Sequence, residues 1–229
     1  MDKEFKNVEY WIFDLDETLY RPETDIAEQV SDKIAEFLMM EYGWSKDLAS
    51  KIQKEYYYEY GSTVQGLIKT GKLDDAQKFE TFVHDVDFSH LESNKALDKA
   101  LGKLKGKKYV LTTSQGPYAE KILDAIGILG HFEVVWGLEE TDYIAKPSPH
   151  PYNKMIVEEE IDIERAAMFE DSYKNIVGAK NLGLKTIWID NGGGHQSNSG
   201  DVKEVDMSFV DIHTKDIVKT IEELAELQE

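Results

Sequence analysis

"WIFDLDETLYRPET", residues 11–24, decides how the chain is read. Three apolar residues run into two acids separated by a single Leu, followed by a Thr and a turn marked by Pro22. A strand alternates its side chains between two faces, so Asp14 and Asp16 would point the same way if the strand continued. If it ends at Asp14, the backbone and both carboxylates converge on one small volume. Either geometry crowds negative charge, which must be offset by a cation, a shared proton or open water. An isolated pair of this kind is more often a strand end running into a solvated acidic turn, so the flanking sequence has to decide.

Outward from this stretch the pattern changes period. Tyr10 to Asp14 has the aromatic and β-branched content of a short buried strand. From Asp25 the apolar residues fall at helical spacing: Ile26, Val30, Ile34, Phe37 and Leu38, then Leu48, Ile52 and Tyr56, then Val64, Leu67 and Ile68, then Ala76, Phe79, Phe82 and Val83. Residues 22–90 therefore read as all helix. Beyond them helices alternate with strands expected at Tyr109–Thr112, Val134–Trp136, Ala167–Phe169, Leu184–Asp190 and Met207–Val210, closing on a helix with Val218, Ile221 and Leu224. Such alternation implies a parallel sheet covered on both faces. The expected fold is α/β, a doubly wound parallel sheet interrupted after its first strand by an all-helical insertion. The expected boundaries are 1–20 and 93–229 for the sheet domain and 21–92 for the insertion. Open parallel sheets bind ligands beyond the carboxyl ends of their strands. There the sequence puts Asp14 and Asp16, Thr112 and Thr113, and Glu170 and Asp171. Lys146 lies in a Pro-punctuated loop, "AKPSPHPY", residues 145–152.

Composition narrows the classes. The 229 residues are 41% apolar and 31% charged, as in a globular protein with a real core. Cys is absent, which excludes disulfides, thiolate metal sites and a Cys nucleophile. Forty-five acidic residues against 26 basic ones give a net charge of −19, which disfavours nucleic acid polymers and anionic membranes as partners. Apolar runs are too short for a membrane span, and the first residues lack the apolar core of a signal peptide, so a cytoplasmic protein is expected.

The ordered motifs resemble the haloacid dehalogenase superfamily: "FDLDETL" its first motif, "VLTT" its second, "AKPSP" its third and "FEDSYKN" its fourth. The resemblance implies a Rossmann-like core with an inserted cap of the C1 type and an aspartyl-phosphate mechanism. Asp14 would be the nucleophile. Asp16 would be general acid and base, a residue that dehalogenases of this superfamily do not keep. Mg²⁺ would be held by Asp14, Asp171, the Asp16 carbonyl and Glu170, directly or through water. Lys146 and the Thr112 hydroxyl would bind phosphate, with the backbone N–H groups of Leu15, Asp16 and Thr113 forming an anion nest. Many relatives carry Asn where this chain has Thr113. Ser172 and Asn175 would support the site, although Ser172 suits a helix cap equally well.

Cap segments "YYYEYGSTVQGL" and "FVHDVDFSHLE", with Leu19 to Pro22, resemble the pyrimidine 5′-nucleotidase subfamily. That implies a small phosphorylated metabolite, a pyrimidine nucleoside 5′-monophosphate, bound through Tyr60, Gly61, Ser62, His84 and Asp85. The alternatives are cap-core packing for the tyrosines and a helix-end interaction for His84. A phosphatase or mutase acting on a sugar phosphate or phosphoglycolate, and a catalytically silent binding protein, are the rival functions. His195, in the Gly-rich stretch 191–201, reads as a loop residue.

Overall fold

A computed structural model describes residues 3–21, 24–190 and 205–229. Pro22, the 191–201 loop and His195 lie outside the described residues. The strands are β1 (Tyr10–Phe13), β2 (Lys107–Leu111), β3 (Val134–Trp136), β4 (Ala166–Glu170), β5 (Lys185–Ile189) and β6 (Ile212–Thr214). They form one sheet in the order β3-β2-β1-β4-β5-β6, and every pairing is parallel. The central strands β1 and β4 are buried throughout or nearly so, as both faces carry helices. Phe13 and Phe169 stack across them at 4.5 Å.

Four helices follow β1: α1 (Ile26–Tyr42), α2 (Lys46–Tyr60), α3 (Thr63–Lys69) and α4 (Ala76–Val83). The rest, α5 (Lys95–Lys103), α6 (Gly116–Ala125), α7 (Pro149–Glu158), α8 (Tyr173–Asn181) and α9 (Ile217–Leu227), alternate with the strands. One apolar cluster lies on each face of the sheet, and a third joins α1–α4, with Phe37, Leu38, Phe79 and Val83 at its centre and Leu138 and Ala145 reaching in from the sheet side. Ser45, Ser62 and Asp75 start α2, α3 and α4 with side-chain caps. The two chain crossings into and out of this unit are tied together: Asp87 N–H donates to Gln29 Oε1 at 3.0 Å, and Gln29 Nε2 donates back to the Asp87 carbonyl at 3.4 Å. Ile26, Val86, Phe88 and Leu91 nevertheless pack with the sheet's own core.

The last expected strand is displaced. Met207–Phe209 is a turn of 3₁₀ helix, because the Asp206 carboxylate accepts from the Ser208 N–H at 2.9 Å and the Asp206 main chain is held in both directions by the Tyr173 hydroxyl. The strand forms at Ile212–Thr214 instead.

Candidate active site

β1 ends at Phe13, and Asp14 is the first residue beyond the sheet edge, its N–H still donating to the Phe169 carbonyl at 2.9 Å. β4, its neighbour, ends at Glu170 with Asp171 next. The chain leaves β1 toward β2 on one side, while β4 continues the sheet on the other, so these acids sit where the strand order reverses. Asp14, Glu170 and Asp171 offer carboxylate oxygens within 4.8 Å of one another. Burial and the neighbouring Glu170 push the Asp14 carboxyl from its ordinary 3.8 up to about 8. Burial, then Glu170 and Asp14, hold Asp171 well above the carboxylate range.

Lys146 faces them. Its Nζ donates to Asp14 Oδ1 and Glu170 Oε2, both at 2.7 Å, and to the Leu111 carbonyl at 2.8 Å. Lys146 is 2% exposed. Burial alone would lower its proton affinity, but the two carboxylates outweigh that and hold it above an ordinary amine. Glu170 Oε1 accepts from the Ser172 N–H at 3.0 Å. One ammonium against three close carboxylates leaves negative charge uncompensated. All-oxygen donors at this spacing fit a hard divalent cation such as Mg²⁺.

Asp16 lines the same cleft as Asp14 and its charge acts on the Asp14 carboxyl, but it is not one of the three clustered acids. Its carboxylate accepts from hydroxyls: Tyr20 at 2.5 Å, Ser114 at 2.8 Å, and Thr112 and Tyr118 at 3.3 Å. Thr112, buried at the end of β2, is therefore directed to Asp16 rather than into the cleft, while Thr113 lines it. Leu15 buries its side chain in the core and leaves only main chain at this edge. Ser172 sits at the N-cap of α8 without a side-chain cap bond, and Asn175 lines the cleft.

The cleft runs between the sheet edge and α1–α4, with a volume of about 780 Å³. Its floor is Asp14, Asp16, Glu170 and Asp171. Val30, Ile34, Val64, Phe79 and Val83 form an apolar wall, and Gln53, Lys54, Tyr57, Tyr58, Ser62, Glu80 and His84 add polar groups. Two expected substrate residues are misplaced. Tyr60 packs edge-on against Tyr56 at 5.6 Å among the helices, and Asp85, past the end of α4, is exposed; neither lines the cleft. Tyr57 and Tyr58 take that place, one and two residues along α2 from Tyr56. Tyr57 reaches the acids: burial and then Asp171 push its hydroxyl well above the usual tyrosine range. Ser62 caps α3, accepting from the Gln65 N–H at 3.2 Å. Gly61, at φ 88°, lies so close to the Lys146 loop that a Cβ there would be 2.8 Å from the Lys146 carbonyl oxygen. The helix-end reading of His84 holds, since its Nδ1 lies 3.0 Å from the Glu80 carbonyl and 3.2 Å from Glu80 Oε2, but its ring also packs on Tyr118 at 4.3 Å between centroids. Ser114, Tyr118 and Tyr57 were not singled out from sequence, and Tyr20 was read only as part of the Leu19–Pro22 stretch.

A parallel sheet with carboxylates at its switch point, a buried Lys between them and a helical unit after the first strand defines a class of hydrolase. The family model for haloacid dehalogenase-like hydrolases matches residues 11–189, and the chain belongs to that family. It is 28% identical over 189 residues to Phosphate metabolism protein 8 of Saccharomyces cerevisiae, covering 76% of this chain and 59% of that protein, so the match takes in little more than half of that relative. It is also 28% identical over 199 residues to the glyceraldehyde 3-phosphate phosphatase of Pyrococcus furiosus, covering 80% of this chain and 81% of the relative. The fold matches that of a HAD phosphatase from Thermococcus onnurineus with a TM-score of 0.62 at 18% identity, over 95% of this chain and 97% of the other.

Proposed function

We propose that this hydrolase is a Mg²⁺-dependent phosphomonoester phosphatase working through a phosphorylated Asp14, with α1–α4 as a cap and a pyrimidine nucleoside 5′-monophosphate as substrate. The observation that carries the chemistry is the Asp14–Glu170–Asp171 cluster clamped by Lys146 at the sheet's switch point. Asp14, Glu170 and Asp171, with the Asp16 carbonyl, would hold the ion. When bound it neutralises phosphoryl charge and draws the proton from Asp14.

Asp14 Oδ attacks phosphorus, forming the O–P bond as the ester P–O bond breaks. Asp16 supplies the proton that the departing alkoxide takes up. In the second half Asp16 removes a proton from water, the water oxygen bonds to phosphorus, and the P–O bond to Asp14 breaks. Lys146 keeps Asp14 oriented and its charge shared, and the main-chain N–H groups near Leu15, Asp16 and Thr113 offer donors to phosphate oxygens. The helical unit excludes water around these steps.

The cleft's size supports the substrate reading, because about 780 Å³ suits a nucleotide better than a three-carbon phosphate. Tyr57 and Tyr58 offer rings beside a base, and Gln53, Glu80 and His84 offer polar groups to its edge. The name of the Pyrococcus relative favours a second reading, a small sugar phosphate. A panel of UMP, CMP, glyceraldehyde 3-phosphate and phosphoglycolate assayed with and without Mg²⁺ decides between them. Highest kcat/KM on UMP or CMP is expected; preference for glyceraldehyde 3-phosphate overturns the nucleotide assignment, and no Mg²⁺-dependent turnover of any compound overturns the phosphatase.

A further inference from the structure

Asp16 is surrounded by hydroxyls rather than by cations or amides. Tyr20 and Tyr118 donate to Oδ1 at 2.5 and 3.3 Å, Ser114 and Thr112 to Oδ2 at 2.8 and 3.3 Å. The donors come from separate elements: the turn after β1, the end of β2, and α6. Both tyrosines are buried, at 7% and 2% exposure, so their hydroxyls have little water to turn to. A carboxylate two residues from Asp14, left to rotate, would sample positions nearer the acid cluster, where it would add like charge. Hydroxyls also suit a group that must change protonation state, because each donates to a carboxylate and, after rotating, accepts from a carboxylic acid without moving a heavy atom.

We propose that Tyr20, Ser114 and Tyr118 are positioning residues for Asp16, fixing its carboxyl at the leaving-group side of the cleft through both halves of the reaction. This rests on the reading of Asp16 as general acid and base. Tyr118 also extends the arrangement to α4, since its ring packs on His84 at 4.3 Å and on Phe88 at 5.7 Å.

A split by leaving group separates this role from a structural one. p-Nitrophenolate departs without a proton, whereas an alkoxide does not, and kcat/KM reports the steps up to that departure. Tyr20→Phe, Tyr118→Phe and Ser114→Ala would be compared with wild type on p-nitrophenyl phosphate and on the alkyl phosphomonoester that wild type hydrolyses fastest. The expected result is a loss of about 10-fold or more on the alkyl ester and under about 3-fold on p-nitrophenyl phosphate, with Asp16→Asn showing the same split more strongly. Thermal melts check folding, and Ser114→Ala, at a half-buried position, serves if a tyrosine variant is unstable. Equal losses on both substrates, or none on either, overturn the proposal. A split in Asp16→Asn but in no hydroxyl variant sinks this inference alone; no split in Asp16→Asn sinks the assignment of Asp16 and this inference with it.

Discussion

Lys146 joins stability and chemistry in one side chain. It is 1% exposed along its side chain and pairs with two buried carboxylates, so its removal strands charge in a low-dielectric site. Lys146→Met should destabilise the metal-free protein by about 3–5 kcal/mol in urea denaturation at neutral pH. A change below about 1 kcal/mol would mean that the carboxylates do not depend on it. The residues of the four motifs were legible in the sequence because their chemistry is unusual for a strand end: an acid pair after β1, an acid pair at the end of β4, and a Lys in a loop with Pro147 and Pro149. Tyr20, Ser114 and Tyr118 were not, because a hydroxyl on an aromatic or small residue is common and gains meaning only when the fold aims several at one carboxylate. The chain turns at residues 16–19, with Glu17 at φ 60°, and Asp16 lines the same cleft as Asp14 while its carboxylate is held by hydroxyls.

Among the elements, the junction of α2 with the Lys146 loop is a close contact between the helical unit and the site. Gly61 ends α2 in the left-handed region, and Gln65 of α3 accepts from the Ala145 N–H at 2.9 Å just beyond it. Gly61→Ala should cost about 1–3 kcal/mol, from backbone strain together with the clash at the Lys146 carbonyl, and should lower activity by displacing that loop. Melting temperature and kcat measured together test it; an unchanged melt would contradict the close approach. The alternation of helix and strand was readable because buried parallel strands and amphipathic helices have different periods. Two details were not. Met207–Val210 has the apolar content of a strand but is bent by the Asp206 cap, and Tyr60 shares the spacing of Tyr57 and Tyr58 while pointing into the helix packing. One residue along a helix turns a side chain by about 100°, which spacing alone cannot orient without knowing where the sheet lies.

For the whole molecule, the acid cluster makes stability a function of pH and metal together. Asp14 and Asp171 hold their protons more tightly in the fold than at the ordinary 3.8 of the unfolded chain. The contribution of Asp14 in the metal-free protein is fully present below about pH 4 and is lost as pH rises through about 8, and Asp171 acts in the same direction. Melts in a chelator should therefore fall across this range more steeply for wild type than for Asp14→Asn. Added Mg²⁺ should stabilise increasingly as pH rises, since its ligands must be deprotonated. Equal slopes for the two proteins would contradict the raised Asp14. The net charge of −19 does not by itself oppose a small anionic substrate, because Lys146 at the acid cluster, with the divalent ion proposed there, would set the local field. Among the described residues no helix is long and apolar enough to cross a membrane.

Acid quenching during turnover, followed by peptide mass spectrometry, tests the nucleophile most directly. The account predicts one phosphoryl group on the peptide carrying Asp14, formed only with Mg²⁺ and absent in Asp14→Asn. Sustained Mg²⁺-dependent turnover with the phosphoryl group on another residue, or by Asp14→Asn, would contradict it.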